Sequence, residues 1–97
     1  MTYALSRRSI LDLEKAYLSA YDYYGNIDAA DRYEDRMKSE IEWLAQNPEV
    51  GKLIQGVREV YMWPFEPYLI LYSKSPVEGI QIERILHKRM QLLKYLQ

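Results

Sequence analysis

Apolar side chains in the first half of this chain recur at helical spacing. Ile10, Leu13, Tyr17, Ala20, Tyr21 and Tyr24 step by three or four residues, while Asp12, Glu14, Lys15 and Asp22 fall largely off that stripe, which predicts an amphipathic helix. Its start is at Ser6 or Ser9. Ser9 with Asp12 three residues on has the form of a capping box, and Ser6 offers the same chemistry one turn earlier. Gly25 is expected to end this helix in the left-handed conformation, with Asn26 or Asp28 capping a second helix from about Asp28 to Gln46. In the second helix Ala30, Tyr33, Met37, Ile41 and Leu44 share one face, and Asn47-Pro48 stops the run. So short a connection makes the two helices antiparallel neighbours whose apolar sides need a common cover.

The rest of the chain supplies that cover. Tyr3 to Leu5 reads as a short first strand and Val57 to Trp63 as a second, before Pro64-Phe65-Glu66-Pro67 turns the chain. Tyr68-Leu69-Ile70-Leu71-Tyr72 is almost wholly apolar, as a central strand covered on both faces must be. Ser75 to Gly79 is the next turn and Ile80 to Leu86 the last strand. Strict alternation there would place Ile80, Ile82, Arg84 and Leu86 on one face and Gln81, Glu83, Ile85 and His87 on the other. The predicted fold is α+β: a short N-terminal strand, a helical hairpin and a three-stranded antiparallel meander (β-α-α-β-β-β), in one domain spanning residues 1–97.

Composition narrows the chemistry. There is no cysteine and one histidine in 97 residues, which excludes a disulfide scaffold, a thiolate metal site and an ordinary histidine cluster, and no cofactor is implied. The N-terminus has no apolar run behind Arg7-Arg8 and no stretch approaches a membrane span, so a cytoplasmic protein with no membrane partner is expected. The net charge of -1 conceals a division. Residues 1–50 carry six basic and ten acidic side chains, residues 51–97 seven basic and four acidic, so the halves differ as -4 and +3. An acidic hairpin is the reverse of a general nucleic-acid footprint, and no sequence-specific DNA binding is expected of the chain alone. After Glu83 the chain carries Arg84, Lys88, Arg89 and Lys94 with no acidic residue. Ten tyrosines against one phenylalanine fit helix faces that are only partly covered, or an interface.

Three groups of residues, in order, resemble the ParE-like branch of the RelE/ParE superfamily of bacterial type II toxins. These are Leu5-Ser6 followed by Asp12-Leu13-Glu14; Ala30-Asp31-Arg32-Tyr33 with Trp43-Leu44-Ala45-Gln46-Asn47-Pro48-Glu49-Val50-Gly51; and Tyr68 to Tyr72 with Glu83-Arg84-Ile85-Leu86-His87-Lys88-Arg89-Met90. The resemblance covers essentially the whole chain. It implies a toxin neutralised by a ParD-like antitoxin whose C-terminal segment lies across it. ParE-like members are associated with poisoning DNA gyrase, whereas RelE-like members cut messenger RNA on the ribosome.

Metal-free ribonuclease chemistry needs groups that activate the ribose 2'-hydroxyl, stabilise the phosphorane and protonate the leaving oxygen. The RelE-like pattern Tyr-Arg-Leu-Val-Tyr in the third strand puts an arginine where this chain has Leu69, which can do none of these. No catalytic residue is therefore assigned, although His87 with Lys88 is the natural candidate for an acid with a phosphate-binding neighbour. Arg84, on an apolar strand face, calls for a partner: a helix carboxylate or a bound phosphate. The expectation is a binding protein, with Tyr61, Trp63, Tyr68, Tyr72 and Arg84 receiving an amphipathic antitoxin segment on the sheet face away from the hairpin and in the groove beside it, and His87, Lys88, Arg89 and Lys94 contacting the target. The alternatives are a RelE-type endonuclease or a degraded toxin that binds only its antitoxin.

Overall fold

The computed structural model describes residues 2–54, 59–77 and 79–89. The elements run β1 (Tyr3–Leu5), α1 (Arg7–Tyr24), α2 (Ile27–Gln46), β2 (Lys52–Ile54), β3 (Val60–Phe65), β4 (Tyr68–Ser75) and β5 (Gly79–His87). This is the expected order, with a three-residue strand added after the hairpin. Five strands form one sheet in the order β1-β5-β4-β3-β2, in which β1 runs parallel to β5 and all other pairs are antiparallel. Among the described residues no helix is long and apolar enough to cross a membrane.

The choice between capping serines falls to Ser6. Its Oγ accepts from Ser9 N at 3.0 Å and donates to Glu83 O at 2.7 Å, so one hydroxyl caps α1 and ties it to β5. Gly25 ends α1 at φ 77°, and Asn26 caps α2 by accepting from Ala29 N. The helices lie on one face of the sheet over a core that includes Leu13, Ala16, Met37, Ile41, Leu44, Ile70, Tyr72, Ile80, Ile82 and Ile85. On the other face Val60, Leu71 and Leu86 form a smaller cluster with Ile54 and Met62.

Two strand expectations require correction. Pro64 and Phe65 belong to β3 rather than to the turn, which is Glu66-Pro67 alone, with a cis peptide bond. Proline is tolerated there because β2 pairs only with Val60 to Met62, so β3 is an edge strand at Pro64 and no ladder amide is missing. Simple alternation also fails in β5. Leu71 pairs with Arg84 but Tyr72 pairs with Ile82, so Glu83 is the extra residue of a β-bulge. Ile80 and Ile82 therefore share the helix side with Ile85, while Leu86 faces away.

The Asn47-to-Gly51 segment is a structural staple. Asn47 N and Nδ2 both donate to Trp43 O, closing the end of α2. The hydroxyl of the fully buried Tyr72 donates to Pro48 O at 2.8 Å and accepts from Gly51 N at 2.9 Å. The loop is thereby fastened to the central strand.

Candidate functional site

The basic end of β5 meets the turn between β3 and β4 at the open side of the helical layer. Tyr68 is paired with His87 across β4 and β5, their rings edge to face with centroids 5.6 Å apart. His87 Nδ1 accepts from Arg89 N at 3.1 Å, which leaves Nε2 as its outward-acting nitrogen. Lys88 N donates to Pro67 O at 2.8 Å, and Lys88 Nζ lies 3.0 Å from Glu66. That ion pair is largely exposed, so it contributes at most about 1 kcal/mol. The backbone bond, not the charge pair, fixes the direction in which the chain leaves β5.

A groove runs between this corner and α1. One part, about 180 Å³, is lined by Asp12, Lys15, Ser19, Tyr68, Arg84 and His87. The other, about 270 Å³, shares Ser19, Tyr68 and His87 and is walled by Tyr23, Tyr24 and Tyr33. Arg84 reaches it because β1 ends at Leu5, opposite Ile82, and the remainder of β5 has no strand neighbour on that side. Its Nε and Nη2 donate to the Asp12 carboxylate at 2.8 and 3.2 Å, and Asp12 Oδ2 also accepts from Ile85 N at 2.9 Å. Of the two partners weighed for Arg84, the structure supplies the helix carboxylate. Asp12 is 8% exposed, so removing either partner would strand a largely buried charge and cost more than breaking a surface pair.

Tyr33 forms the buried wall. Its ring lies against Phe65 and Tyr68, and its hydroxyl donates to Glu66 O at 3.4 Å. Burial, with smaller contributions from Tyr68 and Tyr24, pushes its pKa up from 10.0 to about 12. Between those values the folded state holds a proton that the unfolded chain releases. Stability is therefore full below pH 10 and falls as the pH rises towards about 12. Urea unfolding across that window should show this decline, with a shallower slope in Tyr33→Phe.

The proposed site residues are divided by the structure. Tyr68, Arg84 and His87 line one groove, with Lys88 and Arg89 exposed beside it; Lys94 lies outside the described residues. Tyr61, Trp63, Tyr68 and Tyr72 all face the helix-covered core, not the free face expected for an antitoxin surface. The bulge-free pairing of β3 with β4 keeps all four on the helix side, since each stands at an odd or even position matching its partner. Tyr72 is fully buried and Tyr61 stacks on it at 5.5 Å, while Trp63 bonds Glu40 and meets Trp43. Asp12, Lys15 and Ser19 line the groove without having been singled out as site residues. The usable signal was Asp12 itself, a carboxylate in register with the inward positions Ser9, Leu13 and Ala16, matched by an arginine on an apolar strand.

Comparison with known proteins identifies the family. The family model described as ParE toxin of type II toxin-antitoxin system, parDE, matches residues 3–92. The chain is also similar to Toxin ParE1 from two strains of Mycobacterium tuberculosis, 30% identical over 91 residues that cover 93% of this chain and 92% of each relative. The chain belongs to the ParE toxin family of type II toxin-antitoxin systems.

Proposed function

We propose that this toxin acts in the cytoplasm by binding DNA gyrase, without cutting RNA, and that a cognate antitoxin neutralises it by entering the groove between α1 and the end of β5. The observation that carries this reading is the chemistry of β4 and β5. Leu69 stands where the ribonuclease branch has an arginine, and it pairs with Leu86 on the face opposite His87. Arg84 is engaged by Asp12. The groove does bring Tyr68, Arg84 and His87 together, but its arginine is held by a carboxylate and the position of the ribonuclease arginine offers only an apolar side chain, so a reacting phosphate would find neither of the two cationic contacts it needs there. What the corner offers a macromolecule is aromatic surface at Tyr23, Tyr24 and Tyr68 flanked by Lys15, Lys88 and Arg89, which suits an antitoxin segment carrying apolar and acidic side chains. Lys88, Arg89 and Lys94 provide the positive charge for the target contact.

A supercoiling assay with purified gyrase tests the target: inhibition is expected, and its absence at excess toxin would refute the gyrase reading. Messenger RNA in a translation extract should stay intact. His87→Ala should leave toxicity within about three-fold of the parent, because His87 packs on Tyr68 and is given no proton to transfer. Arg89→Glu should reduce toxicity at least about ten-fold, because it reverses the sign of the target contact. Loss of toxicity in folded His87→Ala would return the corner to chemistry.

A further inference from the structure

The side of the helical hairpin turned away from the sheet carries a second apolar surface. Along α1, Ile10, Leu11, Leu18 and Tyr21 are 45%, 52%, 61% and 42% exposed, although the inward face of the same helix already supplies the core through Leu13, Ala16 and Ala20. Solitary exposed leucines are ordinary, but four large apolar side chains lie outside the inward face of one 18-residue helix, interspersed with Arg7 and Glu14. Tyr17 and Leu18 line a cleft of about 450 Å³ between α1 and α2, and its other walls are carboxylates: Glu14, Asp31 and Glu34. Tyr17 donates to Asp31 Oδ1 at 2.8 Å, which fixes that carboxylate at the rim. Lys38, 3.4 Å from Glu34, is the cation paired with these walls among the ion pairs of the described residues.

We infer that this outer cleft is a docking site for a basic amphipathic helix of a protein partner, distinct from the groove at the end of β5. Two properties select the occupant. The exposed leucines require an apolar stripe, and a helix laid along α1 presents one at three- and four-residue steps. The carboxylate rim, on a hairpin half with net charge -4, requires lysine or arginine beside that stripe and repels an acidic segment. The chain's two interaction surfaces thus have opposite preferences: positive charge flanks the β5 corner and negative charge flanks the hairpin cleft.

The test uses the purified full chain and a labelled leucine-lysine peptide of the length of α1, 18 residues, with its leucines on one face. Fluorescence anisotropy should show saturable binding. A scrambled peptide of the same composition and a leucine-glutamate peptide should each bind at least about ten-fold more weakly. Leu18→Asp and the pair Glu14→Lys with Asp31→Lys should each cost at least about ten-fold, while Glu42→Lys with Glu49→Lys, the same charge change elsewhere on the hairpin half, should stay within about two-fold. Glu14, Leu18, Asp31, Glu42 and Glu49 are all exposed, and circular dichroism checks that each variant is folded. Equal binding of the scrambled peptide, equal loss in the control pair, or no binding by the parent chain would overturn the assignment. So would self-association of the parent that Leu18→Asp abolishes, since the occupant would then be a second copy.

Discussion

Replacing Asp12 with alanine should lower stability by about 3 kcal/mol, because one change breaks a nearly buried ion pair and removes the acceptor of a buried amide. Both Arg84 contacts and the bond from Ile85 N end on this carboxylate. For a domain of this size such a loss corresponds to a fall in Tm of more than about 10 °C. Asp12→Asn keeps an acceptor for Ile85 N but loses the charge, so its effect should be intermediate. Asp12→Ala combined with Arg84→Met should recover part of the loss, since removing both charges avoids stranding one of them. A loss below about 1 kcal/mol in Asp12→Ala would show that water replaces the carboxylate and that the pair is an ordinary surface one. The same variants inform function. If the groove takes the antitoxin, opening the Asp12–Arg84 wall should weaken antitoxin binding in protein that remains folded.

The second large effect is expected at the staple. A Cβ on Gly51 would lie 2.8 Å from Tyr72 Cζ and closer still to the hydroxyl oxygen, nearer than real Cβ contacts come. Tyr72 is fully buried with both its hydrogen bonds made to this loop, so it has no free path of retreat. Gly51→Ala should therefore cost about 2–4 kcal/mol, as overpacking plus a disturbed hydrogen bond. Tyr72→Phe removes the hydroxyl and strands Gly51 N and Pro48 O, at about 1–3 kcal/mol. The two changes should not add. Phenylalanine removes the nearest of the atoms that the new methyl strikes, leaving the ring carbons Cζ and Cε1 at 2.8 and 2.9 Å, so the double variant should be somewhat more stable than the sum of the single losses predicts. Strict additivity in denaturant unfolding would mean that the loop moves away and the staple is not the reason for glycine.

These two sites bear on how much of the molecule could be read along the chain. Much of the hairpin was legible: the α2 stripe, Gly25 as the left-handed stop and the Asn47-Pro48 ending depend on neighbours within a turn or two. The α1 stripe was not, because Ile10, Tyr21 and Tyr24 are exposed and the inward face is instead Ser9, Asp12, Leu13, Ala16 and Ala20, mostly small residues and a carboxylate that a count of large apolar side chains passes over. Most of the sheet was legible as well, since the uninterrupted apolar run Tyr68 to Tyr72 marks a central strand. β2 escaped because three residues are too few to display a period, and Pro64 misled because a proline ends a strand only where its missing amide would have had a partner.

What composition and periodicity determined was therefore the element order, the α+β class, the opposite charge of the two halves and the concentration of positive charge after Glu83. Those properties are local, or sums over segments, and need no third dimension. Tertiary structure decided which side chains meet. The bulge at Glu83 turned Ile85 inward and Leu86 outward, a shift that the alternation of β5 cannot encode because it arises from pairing with β4. The end of β1 opposite Ile82 left an open edge through which Arg84 reaches Asp12, 72 positions away in sequence. The pairing of β3 with β4 put Tyr61, Trp63, Tyr68 and Tyr72 beneath the helices, where an aromatic strand residue serves the core before it can serve a partner.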